Sequence, residues 1–475
     1  MVRAKIQYLS DSEKEYVHEQ TMRVLEEVGV AYNTPLAIDL LAQAGAPVDR
    51  ESLTARIPRE LVEQCLKTVP DSVLLAARDA RHDRVVRVGG PAVFTTDGTA
   101  TYVLDDLTGE RHEGTAEDLR AAMRLFDALP EIDFVWPSVY PRDCDPATAG
   151  LDMSSISLLA CSKHVQDEVR TPDLVAPLLE IIETIAGAPV RERPIYSVIN
   201  CTIAPLMHDG PMTEASIALA RAGVPLFILP MVLMGTTGPM TVLGTCILNM
   251  AEALSAVVLF QLASPGCPLV AGIGSAAAEM RSGLYLCATP EVALINLLCG
   301  EMGHFYGLPT QGSAIGSDAK AVNVQAGVEA GMTGVLEVLG ELDCIIAFGL
   351  LDGAQVLSYA KTVIDAETVA MIKRLTRGDR IDESTALLGE IATVGVGGHY
   401  LAAKSTRRYH REGELWQPSL FQRGPFENYL GRSLLEEAVE KARDLIATHE
   451  VPPVGDEVAR HVADTIAAYA AAKRA

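Results

Sequence analysis

Phe134-Val-Trp-Pro-Ser-Val-Tyr140, Tyr196-Ser-Val-Ile-Asn-Cys-Thr-Ile203, Leu226-Phe-Ile-Leu-Pro-Met231 and Leu269-Val-Ala-Gly-Ile-Gly274 are short apolar runs separated by longer amphipathic segments. His164-Val-Gln-Asp-Glu-Val169, Pro309-Thr-Gln-Gly-Ser-Ala314, Cys344-Ile-Ile-Ala-Phe-Gly349 and Val356-Leu-Ser-Tyr359 complete a series of eight, the second and the last being the faintest. Apolar runs alternating with helical periods argue for a parallel sheet covered by helices. Eight units within about 240 residues, without an early GxGxxG turn, favour a (β/α)8 barrel over a dinucleotide-binding sheet. The expected fold class is α/β: a TIM barrel over residues 131–365, preceded by an α+β layer over 1–130. A helical C-terminal extension over 366–475 is expected to pack on the barrel.

The flanking text supports that division. Ser10 with Glu13 reads as a capping box that starts a helix closed by Gly29, and residues 35–45 and 58–69 repeat the helical period. Residues 73–88 and 92–103 alternate apolar with polar side chains, and the Gly89-Gly90-Pro91 break suggests a hairpin or meander. Residues 432–449 form an amphipathic helix by pattern.

The chain has 475 residues, 49% of them hydrophobic, and 39 Lys+Arg against 62 Asp+Glu give a net charge of −23. Such a surface repels phosphate backbones and anionic lipids, which argues against nucleic-acid and membrane partners and permits a cationic substrate. The nine cysteines include no CxxC pair, and no apolar leader begins the chain, as expected of reduced thiols in a cytoplasmic protein. Residues 246–263 are apolar but interrupted by Asn249, Glu252 and Gln261, unlike a membrane span. No HExxH or Cys/His cluster is written, so no metal site is expected; Cys246, Cys267, Cys287 and Cys344 read as core cysteines. A GxSxG elbow and a phosphate loop are likewise missing.

Barrels place their chemistry at the C-terminal ends of the strands. Trp136, Ser138 and Tyr140, then Asn200 and Thr202, then Gln311 and Ser313, fall at such ends. The densest polar text follows the sixth run, with Ser317, Asp318, Lys320, Asn323, Gln325 and Glu329 close behind Gln311 and Ser313. Residues 233–245, rich in Gly and Thr, offer a flat wall of small side chains that fits helix packing or a large planar partner face.

Several blocks carry a resemblance. Thr237-Gly-Pro-Met-Thr-Val-Leu-Gly-Thr245 with Asn249 and Glu252, Gly316-Ser-Asp-Ala-Lys320 with Gln325-Ala-Gly-Val-Glu329, and Gly395-Val-Gly-Gly-His-Tyr-Leu401 with Thr406-Arg-Arg-Tyr-His-Arg411 resemble the trimethylamine methyltransferase family. Leu25-Glu-Glu-Val-Gly-Val30 and Pro265-Gly-Cys-Pro268 agree, so the resemblance spans nearly the whole chain. It implies a barrel that moves a methyl group from a methylated amine to the cobalt of a separate corrinoid protein. Founding members carry pyrrolysine in a segment that would align with residues 312–318, where this chain has only standard residues. Members without it resemble glycine betaine methyltransferases, which implies a quaternary amine as substrate. No cofactor is then tightly bound, because the corrinoid (cobalamin) is carried by a partner protein.

A quaternary nitrogen is recognised by aromatic faces. Tyr102, Trp136, Tyr140, Phe348 and Tyr359 are the expected rings, with Asp318 and Asp352 adding charge. Asn200, Gln311 and Lys320 are the expected donors to a betaine carboxylate, with Ser313 beside them. Tyr140, Gln311, Phe348 and Tyr359 end different runs and are expected to converge on one cavity. No catalytic side-chain nucleophile is expected, since positioning suffices for a methyl group already on a charged nitrogen. A homo-oligomer is expected from the amphipathic helices. Two other functions fit the same text: a tetrahydrofolate-dependent demethylase, and a betaine-binding homologue that has lost its chemistry.

Overall fold

The protein is described by a computed structural model covering residues 4–346, 348–429 and 431–474, which leaves Ala347 of the seventh run outside the described residues. Eight parallel strands close into a barrel. They are β1 (Val93–Thr95), β2 (Phe134–Val135), β3 (His164–Glu168), β4 (Tyr196–Ile203), β5 (Leu226–Leu229), β6 (Leu269–Gly272), β7 (Thr310–Ser313) and β8 (Cys344–Ile346). Closure is made by β8 against β1, with Cys344 opposite Val93 and Ile346 opposite Thr95. One helix follows each strand: α1 (Ala116–Ala128), α2 (Ala149–Ala160), α3 (Val175–Ala186), α4 (Gly210–Ala222), α5 (Val242–Ala263), α6 (Pro290–Phe305), α7 (Val324–Leu339) and α8 (Tyr359–Thr376).

The barrel therefore begins at Val93, inside the region read as an α+β layer. The hairpin pairs Ser72–Leu75 with Arg84–Arg87, not residues 85–88 with 93–103. Val356–Leu357, read as the eighth strand, instead joins a small sheet with Tyr102–Leu104, Arg111–Glu113 and Leu350–Leu351. That sheet is built from the loops leaving β1 and β8.

Local chemistry explains the helix starts. Thr115 and Asp118 form a capping box for α1, Asp209 caps α4 with Pro211 in its first turn, and Asn323 caps α7. Ser10 and Glu13 form the expected box for the helix Asp11–Arg23. That helix and Arg59–Leu66 pack on α5. By length and composition α5 could cross a membrane, but 72% of its most apolar window is buried inside the fold. At the other end of the chain, Leu434–Thr448 packs on α1 and α8, and Asp456–Arg474 on α3.

One fully buried ion pair ties the open face of the barrel together. Lys361 Nζ on α8 donates to Asp365 Oδ2 at 2.6 Å and to the Ile315 carbonyl, just beyond β7, at 2.8 Å. Asp365 Oδ2 also accepts the Gly349 N–H, beyond β8, at 2.8 Å. Ile315, Phe348 and Gly349 all hold left-handed backbone conformations, with φ of 63°, 71° and 84°. The pair clamps the two turns where such backbone is costly for Ile and Phe.

Replacing Lys361 by Met is expected to leave Asp365 buried and unpaired and to lower stability by about 3–5 kcal/mol. The double variant Lys361→Met, Asp365→Leu should recover most of that loss. Urea unfolding followed by circular dichroism checks both, and equal losses in the single and double variants would contradict the clamp.

Candidate functional site

Alternation along each strand sends every second side chain into the lumen. At the N-terminal end Val93, Phe134, Phe227, Val270 and Cys344 fill it, and the hairpin closes it from below with Val73, Leu75 and Val86. His164 belongs to this layer, with Nδ1 2.8 Å from the Ala76 carbonyl and Nε2 2.8 Å from Ser197 Oγ. Burial lowers its pKa to about 4, so the ring is neutral at physiological pH.

Higher along the strands the lining turns polar. Thr95, Trp136, Gln166 and Gln311 form a buried layer, and Gln311 Nε2 reaches across to Gln166 Oε1 at 3.4 Å and Cys344 Sγ at 3.5 Å. Thr95 Oγ1, Trp136 Nε1, Gln166 Nε2 and Gln311 Oε1 have no hydrogen-bond partner among the described residues. Exchanging the ends of either amide swaps donor for acceptor without adding partners. Each unmade bond of this kind costs about 1–3 kcal/mol. A layer that gives up this much stability has the character of a binding floor.

Above the floor, at the C-terminal face, Asp97, Glu168, Cys201 and Ser313 retain partial solvent exposure, and the space between these strand ends is the candidate recess. Asp97 follows β1, where the backbone of Gly98 lies against Trp136: a Cβ on Gly98 would sit 2.4 Å from the indole nitrogen. Burial pushes the Asp97 carboxyl up to about 7, only partly offset by the Gly98 N–H and the charge of Lys361. Burial likewise pushes Asp167 up to about 7, with the neighbouring Glu168 charge adding to the effect. Glu168 takes the Cys201 thiol at 3.5 Å on one oxygen and pairs with Arg170 at 3.2 Å through the other. Burial raises the Cys201 and Cys287 thiols well above their usual value, so both stay protonated and poorly nucleophilic.

Of the residues named from the sequence, Trp136 and Gln311 lie in the buried polar layer and Ser313 among the partly exposed strand ends above it. Tyr140 stands to one side, lining a cavity of about 340 Å³ with Met153, Asp167 and Glu168. Tyr359 lies elsewhere, in a cavity of about 430 Å³ with Asp106, His112 and Val439, its hydroxyl donating to the Asp118 carbonyl at 3.1 Å. Phe348 is buried in the core between barrel and helices, because the left-handed turn carries its ring away from the lumen. The expected convergence of Tyr140, Gln311, Phe348 and Tyr359 is therefore not found. Asn200 alternates with the lumen residues Ile199 and Cys201 and turns outward, its Nδ2 donating to Ser216 of α4 at 3.0 Å. Thr202 likewise faces Glu252 of α5.

Tyr102 and Asp352 belong to the small sheet made by the β1 and β8 loops. The Arg111 guanidinium lies 4.4 Å above the Tyr102 ring and 3.8 Å from Asp352, and Lys320 is bonded to Asp352. Asp318 accepts the N–H groups of Cys287 at 2.9 Å and Ala288 at 3.3 Å and so fixes the loop after β6. Most of the dense polar text also serves structure: Glu329 takes Ser317 Oγ at 2.6 Å and the Asp318 N–H at 3.0 Å, while Asn323 is a helix cap. Sequence reading missed Asp97 and Gln166. Asp97 is a polar residue at a strand end that becomes visible only with β1 placed at Val93, whereas Gln166 lies inside the recognised run 164–169 as a polar residue on the lumen face of a faint strand.

A family model described as trimethylamine methyltransferase matches residues 2–473. A trimethylamine methyltransferase of Desulfitobacterium hafniense is 29% identical over 95% of this chain and 91% of its own. A glycine betaine methyltransferase of another strain of that species is also 29% identical, over 95% and 94%. The crystal structure of the Methanosarcina barkeri monomethylamine methyltransferase shares the fold, with a TM-score of 0.55 at 14% identity over 93% of this chain and 89% of that one. With a match that runs almost from end to end, the chain belongs to the trimethylamine methyltransferase family.

Proposed function

We propose that this methyltransferase moves a methyl group from a quaternary amine, glycine betaine or a related betaine, to the Co(I) of a cognate corrinoid protein, without pyrrolysine. The observation that carries this reading is the chemistry of the recess. Its two thiols are held protonated, its floor is polar and underpaired, and its wall is an indole ring. These groups can hold and orient a methylated cation and exclude water, but they do not attack it. The corrinoid supplies the nucleophile. On a quaternary nitrogen the methyl group is already an electrophile, so in-line positioning and desolvation are what remain for the protein to provide.

Trp136 presents an aromatic face to the cation. The unpartnered Thr95 hydroxyl and one amide nitrogen of the Gln166–Gln311 pair are donors for a carboxylate. They take over the role expected of Asn200 and Lys320, both engaged elsewhere. Around the mouth, the loops after β5 and β6 expose Met231, Met240, Met280 and Leu284. A soft apolar ring of this kind suits the docking of a protein that carries a large planar group. The nine free cysteines suit a reducing cytoplasm.

Self-association completes the reading. Between α8 and the last two helices, Ile381, Leu388, Val396, Leu401 and Phe426 are largely exposed, beside the basic helix Lys404–Arg411. On a chain of net charge −23, a basic apolar arm is complementary to the body of a second copy.

Glycine betaine or another betaine is expected to raise the melting temperature and to methylate free Co(I) cobalamin, read from its absorption spectrum, while trimethylamine does neither. Preferential turnover of trimethylamine would overturn the quaternary assignment. Light scattering at micromolar concentration is expected to show a particle of at least twice 50.8 kDa. Val396→Asp with Leu401→Asp should return it to the monomer mass.

A further inference from the structure

We propose that Asp97 is the counter-ion of the substrate nitrogen: a methylated ammonium group seats against its carboxylate, between the Gly98–Trp136 wall and the polar floor. The inference rests on the methyl-transfer reading and adds the residue that selects for positive charge.

Most carboxylates near the open end of the barrel are engaged, Asp365 by Lys361; Asp167, like Asp97, accepts the N–H of the next residue, but it stands on the alternate face of its strand. Glu168 is held by Arg170 and the Cys201 thiol, Asp318 by two backbone N–H groups, and Asp352 by Lys320 and Arg111. Asp97 accepts one hydrogen bond, from the Gly98 N–H to Oδ1 at 3.0 Å, and its other oxygen accepts none among the described residues. It stands two residues beyond Thr95 on the lumen-facing side of its strand, directly above the underpaired layer. The same Gly98 that bonds to it is packed on Trp136, which places carboxylate and indole on one wall. A desolvated carboxylate beside an aromatic face is complementary to a cation that cannot itself donate hydrogen bonds, because charge and ring quadrupole both attract it.

The groups facing Asp97 are Lys361 of α8 and Tyr285 and Cys287 of the β6–α6 loop. Burial raises both Tyr285 and Cys287 well above their usual values, so neither titrates near neutrality. Asp97 does, at about 7 in the empty protein. The cation binds the ionised form, so its affinity rises with pH up to about 7 and levels off above it. Asp167 titrates in the same range, lines the Met153 cavity and bears on the Trp136 side chain from the alternate face of its strand, so a pH profile abolished by Asp167→Asn and kept in Asp97→Asn would assign it to Asp167 and overturn the inference.

Calorimetric titration of the full chain with tetramethylammonium, glycine betaine and 3,3-dimethylbutanoate tests the assignment without any cobalt acceptor. The last probe replaces the charged nitrogen by carbon at nearly constant shape. Wild type is expected to bind both cations and to discriminate strongly against the carbon isostere. Asp97→Asn should weaken both cations by about tenfold to a hundredfold, spare the isostere and flatten the pH profile between 6 and 8. Asp97→Glu should restore part of the affinity and the pH dependence, which separates lost charge from a damaged fold. Cation binding unchanged in Asp97→Asn overturns this inference and leaves the methyl-transfer reading standing. Wild type binding neither cation overturns both.

Discussion

The buried Lys361–Asp365 pair is the constraint on which the working face depends. It sits on the first two turns of α8, yet its partners are the backbone just beyond β7 and just beyond β8. Through it, one helix sets the exit direction of two adjacent strands, and the Lys361 charge also bears on Asp97 beyond β1. Three consecutive corners of the barrel mouth are thus referred to one ammonium group. An ion pair in such a place adds little to stability compared with an apolar replacement of equal volume. What it contributes here is geometry: two left-handed turns held where extended chain would otherwise run on.

Stability and function are separated by height in the barrel. The lower layer and its hairpin plug are apolar and closely packed, and even His164 is bonded at both nitrogens and kept neutral. The layer above gives up hydrogen bonds that an apolar core would never have had to make. Sequences under selection for stability alone would fill those positions with Leu or Val. Strand ends in a barrel are free to bear such a cost, because the closed sheet and helix layer beneath them already hold the fold.

The sequence made the barrel legible through β2 to β8, mostly as short apolar runs buried on both faces that stand out from the amphipathic helices between them, β3 being the faintest. It hid β1 for the same physical reason it showed the others. Val93-Phe-Thr95 is only three residues long, with Thr in the lumen, and it follows an alternating hairpin whose pattern runs straight into it. Once β1 was lost, the count of eight was completed with Val356–Leu357, a pair buried in a loop sheet. The same error concealed Asp97, since a strand end can be searched only where a strand has been recognised. Side-chain direction was the second loss. In a strand buried on both faces no alternation of polarity marks the lumen, so Asn200 and Gln311 look alike in the sequence although one faces α4 and the other the barrel axis. Phe348 was out of reach altogether, because its direction is set by a left-handed turn that no periodicity announces.

The segment after β7 shows how little side chain the proposed chemistry requires. Of residues 312–318, Gly312 faces α7 next to Glu337, Ile315 belongs to the clamp, and Ser317 and Asp318 are tied to Glu329. Ser313 alone among them continues the lumen face above Gln311, and its side chain is a single hydroxymethyl group. Across the neighbouring strand Gly272 has no side chain at all, and a Cβ there would come within 2.5 Å of the Ile228 carbonyl. The strand ends of β6 and β7 therefore bring only hydrogen and a hydroxyl, with Tyr285 and Cys287 contributed by the β6–α6 loop, while the opposite side carries the Asp97 carboxylate and the Trp136 ring. That asymmetry sets charge and aromatic surface on one wall against short side chains on the other, an arrangement suited to gripping a cationic head from one side.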